Sequence, residues 1–124
     1  MTDYLKIYEK FKDVKEVKDY IDDVILLRHY YKTQQFAQMQ DYIRKLTAKY
    51  PIEAIVWNAV NRVMPNTYEQ AYINAENFLQ VQGAIIVAKT VSHYYQYLTE
   101  DEAAFIESKV KVMSIPSQTV FSSL

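Results

Sequence analysis

Cysteine is absent from this sequence, and the residues that shape turns are scarce, with one glycine and three prolines in 124 residues. Without cysteine the chain has neither a disulfide framework nor a thiolate that could act as a nucleophile or metal ligand. Sheet-rich folds depend on glycine and proline at their turns, so the scarcity of both argues against strands. We therefore predict an all-α fold.

Neither sign of charge is in excess, since 14 basic and 15 acidic residues give a formal net charge of −1. A nearly neutral chain exerts no long-range attraction on nucleic acid or on an anionic lipid surface. The first residues, MTDYLKIYEKF, mix charged and apolar side chains, unlike a secretory signal peptide. No apolar run approaches the ~20 residues that a membrane span requires. We expect a cytoplasmic protein that does not enter a membrane.

The longest stretch with helical periodicity and no proline runs over residues 67–98. In its middle, the five consecutive apolar residues 84–88 cover every side of a helix, which predicts burial all round. Half of all residues are hydrophobic, and a chain of this length is typical of one domain. We predict a single-domain bundle of five or six helices packed around a long central helix at about 67–98.

Gly83 is the only glycine and directly precedes this apolar run. As one helix, residues 67–98 would be ~48 Å long at ~1.5 Å per residue, which exceeds the ~35 Å width of a compact domain of this size. The bundle is then elongated, or the helix bends near Gly83. Alternatively, the glycine admits a neighbouring backbone at close range.

Shorter amphipathic segments flank the central one, each with apolar residues three or four positions apart. Thr99 and Glu102 form a capping box at the start of the last of them. The stretch SIPSQTVFSSL shows no helical pattern, so we predict a helical domain over 1–113 and a non-helical tail at 114–124. The predicted flanking helices are residues 4–11, 13–32, 33–50, 51–64 and 99–113.

Motifs for catalysis and for metal binding are missing. His29 and His93 are the only histidines, and neither has a carboxylate at the helical spacing of a metal site. Ser92 directly precedes His93, so the two side chains point apart on a helix. A single glycine rules out nucleophile elbows and phosphate-binding glycine loops. By elimination we predict a non-enzymatic protein without metal or cofactor.

The twelve tyrosines are the most unusual feature of the composition. Tyr30–Tyr31 and Tyr94–Tyr95 are doublets, and neighbours on a helix point about 100° apart, so both rings of a doublet cannot face one core. Tyrosine is enriched at protein interfaces. A core boundary explains the doublets equally well. The functional hypothesis is a partner-binding or self-association surface that contains Tyr30, Tyr94, Tyr97, His29 and His93.

The leading hypothesis is therefore a small interaction protein, such as an inhibitor, immunity, adaptor or assembly protein, whose partner is another protein or a second copy of the chain. The alternative is a DNA-associated transcription regulator that uses a basic face within 28–62, where acids are few. Several of these basic residues lie near predicted helix ends, where the helix dipole alone accounts for them. The candidate nucleic-acid-binding residues are Arg28, Lys32, Arg44, Lys45, Lys49 and Arg62.

One resemblance bears on this alternative. The segments PNTYEQAYINAEN at 65–77 and YYQYLTEDEAAFIESKV at 94–110 resemble the middle of phage late-gene transcription regulators of the ArpU and RinA kind. SQTVFSSL at 117–124 is similar to the start of a recognition helix. The resemblance implies a DNA-associated protein of phage origin. Those regulators carry a complete helix-turn-helix after this point, and no such motif follows these segments here.

Overall fold

The computed structural model of the protein describes residues 3–50 and 67–123, with side chains as far as Lys111. These residues form five α-helices and two short 3₁₀-helices, with no strand among them, so the predicted all-α fold is confirmed. The predicted helix at 51–64 lies outside the described residues. The α-helices are α1 (Tyr4–Tyr8), α2 (Lys15–Lys32), α3 (Phe36–Lys49), α4 (Tyr68–Thr90) and α5 (Glu100–Ser123), and the 3₁₀-helices are Glu9–Phe11 and Tyr94–Tyr97.

Helix α4 is the centre of the bundle, because each of the other four described α-helices contacts it. Ala84, Ile85 and Val87 are buried and Ile86 is half-buried, whereas Ala88 is exposed. The prediction of a central helix is therefore confirmed, and its burial on all sides holds up to residue 87. Within the described part of the chain, no helix combines the length and the apolar character that crossing a membrane demands.

The central helix ends at Thr90, eight residues before the predicted end. Val91 takes an extended conformation, and His93 has a left-handed backbone with φ of 53°, so the chain turns sharply before the 3₁₀-helix at Tyr94–Tyr97. The apolar pattern continues through this turn, which is why periodicity alone placed the end too late. At 23 residues, α4 is ~35 Å long and fits a compact domain.

The backbone at Gly83 is helical, and two aromatic rings crowd against it. A Cβ atom on this residue would lie 2.5 Å from Cε2 of Tyr8 and 2.6 Å from Cζ of Tyr20. Both hydroxyls donate hydrogen bonds to α4 carbonyl oxygens, Tyr8 to Gln80 at 2.9 Å and Tyr20 to Leu79. The close approach proposed for Gly83 is therefore present, but side chains rather than a neighbouring backbone make it.

The apolar stripes place most of the core as predicted. All four stripe residues of the first segment are buried, as are Met39 and Leu46 of α3 and Ile106 of α5. The predicted capping box is confirmed, since Thr99 N donates to Glu102 Oε1 at 2.9 Å and Glu102 N donates to Thr99 Oγ1 at 3.2 Å. The buried residues of the first stripe are Tyr4, Ile7, Tyr8 and Phe11.

Helix α5 continues to Ser123, so the backbone is helical over 114–123, where the sequence predicts a non-helical tail. The prediction followed from the missing helical pattern, and Pro116 within this stretch is in addition a poor helix former. A proline within a helix removes one hydrogen bond and can kink the helix without ending it. The boundary predicted at residue 113 therefore does not coincide with a helix end.

Candidate functional site

A cleft of about 670 Å³ opens where α1, α2, α4 and the start of α5 meet. Its volume lies within the ~300–1,000 Å³ that small-ligand sites occupy. Four of its lining residues are carboxylates that come from three separate parts of the chain: Asp3, Glu76, Asp101 and Glu102. The remaining wall consists of Tyr4, Ile7, Arg28, Gln80, Thr99 and Phe105. We call this feature the acidic cleft.

Arg28 forms the centre of one wall of the acidic cleft. Its Nη1 donates to Asp3 Oδ2 at 2.7 Å and its Nη2 to Asp3 Oδ1 at 3.0 Å. On its other side, Nε donates to Glu76 Oε1 at 3.0 Å and Nη2 to Oε2 at 3.1 Å. The Tyr4 hydroxyl also donates to Glu76 Oε2 at 3.0 Å. One guanidinium thus links the cap of α1 to α2 and α4, with a net charge of −1 over the three ionic groups.

This arrangement changes the acidity of the groups within it. The hydrogen bonds from Arg28 hold the pKa of Asp3 below its ordinary value of 3.8. Burial disfavours the Arg28 cation, but the hydrogen bonds to Asp3 and Glu76 outweigh it and raise the Arg28 pKa. Burial, followed by the negative charge of Glu76, raises the pKa of Tyr4 and also raises that of Tyr72 to about 12.

Acid should weaken the fold through this network. The pKa of Asp3 is lower in the folded than in the unfolded state. The stability that ionised Asp3 contributes is therefore fully present above pH 3.8 and is lost as the pH falls through the folded-state pKa. Urea unfolding followed by circular dichroism, between about pH 5 and pH 2, measures this dependence. We expect the wild type to lose more stability on acidification than Arg28→Gln or Asp3→Asn. Parallel pH profiles for all three proteins would contradict the assignment.

A second wall of the acidic cleft is formed by the N-terminus of α5. Lys10 Nζ donates to Glu102 Oε1 at 2.6 Å, and this hydrogen bond, with the one from Thr99 N, lowers the pKa of Glu102. The hydrogen bonds from Lys10 Nζ and Thr99 N both go to Glu102 Oε1, and the exposed Asp101 side chain has no hydrogen bond among the described residues. This wall therefore presents carboxylate oxygens that are free to accept further hydrogen bonds.

The turn between α4 and α5 carries three of the predicted partner-binding residues, His93, Tyr94 and Tyr97. Tyr97 is 64% exposed and Tyr95 is 50% exposed, whereas Tyr94 is half-buried. Tyr97 packs edge-on against Phe11, with ring centroids 6.3 Å apart. His93 Nδ1 lies 2.9 Å from the Tyr95 hydroxyl oxygen. We call residues 93–97 the tyrosine turn.

His29 and Tyr30, the other two predicted partner-binding residues, lie elsewhere. They belong to the last turn of α2, where the Tyr30 ring packs against Tyr42 with centroids 5.8 Å apart. Phe11, which contacts Tyr97, lies just before the other end of α2. About 20 Å of helix separates the two groups at ~1.5 Å per residue. The structure therefore does not bring the five predicted residues into one surface.

In the described part of the chain, three of the six residues of the predicted basic face form ion pairs with acids. Arg28 lies within the acidic cleft, Arg44 pairs with Asp41 at 2.7 Å, and Lys49 Nζ pairs with Asp23 at 2.7 Å. Lys32 and Lys45 are exposed. The last predicted residue of this set, Arg62, lies outside the described residues.

Sequence reasoning missed the acidic cleft because its residues are far apart in the chain. Arg28 is 25 residues from Asp3 and 48 from Glu76, and no local pattern links them. The only local signals are the cap at Asp3 and the capping box at Thr99 and Glu102. Among the described residues, no group of three or more histidine or acidic side chains is arranged to hold a metal ion.

Comparison of the chain with protein-family models, with curated proteins and with solved structures finds no match.

Proposed function

We propose that this chain is a small, non-enzymatic interaction protein that binds a protein partner through the tyrosine turn. The observation that carries the proposal is the exposure of Tyr95 and Tyr97, at 50% and 64%, on a turn that the bundle holds in place. Tyrosine buries a large ring at an interface and keeps its hydroxyl available for a hydrogen bond. Aromatic side chains of this kind dominate the energetics of many interfaces.

Contacts with the start of α5 and with the first 3₁₀-helix support the tyrosine turn. The reciprocal hydrogen bonds of Thr99 and Glu102 fix the start of α5 directly after it. Lys10 ties Glu102 to the first 3₁₀-helix, and Phe11 of that helix supports the Tyr97 ring. A surface that is already ordered loses little conformational entropy on binding. The tyrosine turn therefore suits recognition better than an unsupported loop would.

The alternative of a DNA-associated regulator receives less support. Three of its candidate residues form ion pairs with acids, and Arg28 faces two carboxylates. Affinity for nucleic acid depends on uncompensated cations that displace counterions from phosphates. Salt-sensitive duplex binding that is lost on replacement of Lys45 and Lys49 would favour this alternative.

The interaction function is tested by the double variant Tyr95→Ala/Tyr97→Ala. We expect partner capture from an extract of the source cells, quantified by mass spectrometry, to fall at least ~10-fold because interface tyrosines are frequent hot spots. Sedimentation equilibrium on the purified protein covers the case in which the partner is a second copy.

The matched control is Tyr68→Ala, which removes an exposed tyrosine from the N-terminal end of α4, at the other end of that helix. It should leave capture and oligomeric state unchanged, with all variants checked for helicity by circular dichroism. Equal capture and equal self-association by the wild type and the folded double variant would refute the proposed function.

A further inference from the structure

We propose that the acidic cleft receives an arginine or lysine side chain from a basic segment of the protein partner. This inference rests on the proposed function and specifies the chemistry of that partner. Its basis is the cleft itself: a concave site of about 670 Å³ that combines carboxylates with an apolar floor and adjoins the tyrosine turn.

The charges that line the cleft favour a cation. Four carboxylates face one guanidinium, and the ammonium of Lys10 at the rim neutralises Glu102. The formal charge that remains is −2, and it lies on the Asp3–Arg28–Glu76 network and on Asp101. A concave site of one charge sign attracts ligands of the opposite sign and repels those of the same sign. The cleft therefore favours a basic side chain and disfavours phosphate.

Carboxylate oxygens in the cleft remain available to accept hydrogen bonds from a guanidinium or an ammonium group. The Asp101 side chain has no hydrogen bond among the described residues, and Glu102 accepts from Lys10 Nζ and Thr99 N through Oε1. Arginine engages the two oxygens of a single carboxylate with two parallel hydrogen bonds. The Asp3 side chain is 40% exposed and so keeps solvent access, even though Arg28 contacts both of its oxygens.

The rest of the cleft suits the aliphatic stem of such a side chain. Ile7 and Phe105 contribute apolar surface to its lining, and the Arg28 guanidinium lies 5.0 Å from the centroid of the Tyr4 ring. Long basic side chains bury their methylene groups against apolar surface while the charged end stays paired. A ligand with both parts thus matches the cleft better than a bare metal ion or a small inorganic cation.

The position of the cleft relative to the tyrosine turn links the two sites. Thr99, a lining residue, follows Tyr97 by two positions, and Glu102 of the cleft binds Lys10 next to Phe11, which supports Tyr97. A partner segment that packs on Tyr97 can therefore extend directly into the cleft. Electrostatic complementarity of this kind adds specificity and raises the association rate.

The test uses an acetylated, amidated hexapeptide of alternating arginine and leucine, and a matched peptide with glutamine in place of arginine. Isothermal titration calorimetry and amide chemical-shift mapping on the full chain report binding and its location. We expect saturable binding of the arginine peptide at the cleft, weakened by salt, and none of the glutamine peptide. Asp101→Asn should lower the affinity ~5-fold, as loss of one partly exposed charged contact does.

The matched control is Glu100→Gln. It removes one negative charge from the residue next to Asp101, and the Glu100 side chain does not line the cleft. It should change the affinity less than ~2-fold, since Glu100 does not line the cleft and an exposed charge without a direct contact contributes little. No binding of the arginine peptide, or equal losses in both variants, would overturn the inference. Equal affinity for agmatine would assign the cleft to a free small cation instead of a partner side chain.

The two proposals can fail separately. If partner capture depends on Tyr95 and Tyr97 but the arginine peptide does not bind, the interaction function stands and the basic partner segment is wrong. If the peptide binds at the cleft while the tyrosine double variant captures the partner normally, the cleft chemistry stands and the role of the tyrosine turn is wrong.

Discussion

Replacing Gly83 by alanine is expected to lower the free energy of unfolding by ~2 kcal/mol, because overpacking a buried site costs ~1–3 kcal/mol and the contacts here are severe. The added Cβ would lie 2.5 Å from Tyr8 and 2.6 Å from Tyr20. Both rings are fully buried and tied by their hydroxyls to α4 carbonyl oxygens, so neither can move aside freely. The loss appears even though alanine favours a helix by ~1 kcal/mol over glycine. Urea unfolding followed by circular dichroism measures it.

The control for Gly83→Ala is Asn77→Ala on the exposed side of the same helix, where the substitution should be neutral or slightly stabilising. Combining Gly83→Ala with Tyr20→Leu should be less costly than the sum of the two single changes, because the shorter side chain relieves the crowding. If Gly83→Ala alone is as stable as the wild type, the rings do not pack on α4 as described.

Replacing Arg28 by alanine is expected to destabilise the protein by ~2–3 kcal/mol, somewhat less than the ~3–5 kcal/mol typical of fully buried pairs. The side chains of Arg28 and Glu76 are 24% and 16% exposed, so solvent screens the remaining carboxylates only in part. Loss of the cation leaves Asp3 and Glu76 facing each other without a counter-charge, and it removes four hydrogen bonds that join three elements.

Arg44→Ala is the matched control, since Arg44 pairs with Asp41 three residues away and both side chains are more than two-thirds exposed. Exposed pairs of this kind contribute ~0–1 kcal/mol, so this variant should unfold close to the wild type. Thermal and urea unfolding of both variants provide the comparison. Similar losses for Arg28→Ala and Arg44→Ala would show that the network around Arg28 adds no more than a surface pair.

Local patterns predict the helices well because each depends on neighbours in the chain. The stripe from Tyr4 to Phe11 predicts a buried face by spacing alone, and all four of its members are buried. The capping box at Thr99 and Glu102 forms within four residues, so no distant group is needed. The prediction of the α4 end fails for the converse reason, since the turn at His93 interrupts a pattern that remains apolar.

By itself, the sequence determined the all-α class, the central helix, the core-facing stripes and the importance of Gly83, because periodicity, capping and residue scarcity act over a few positions. Only the tertiary structure decided that Tyr8 and Tyr20 crowd Gly83, that Arg28 joins Asp3 to Glu76, and that the candidate tyrosines lie at two ends of α2. These facts depend on which helix faces meet, and on where α4 ends. The packing of whole helices against one another determines which faces meet and where α4 ends, and no single segment of the sequence specifies that packing.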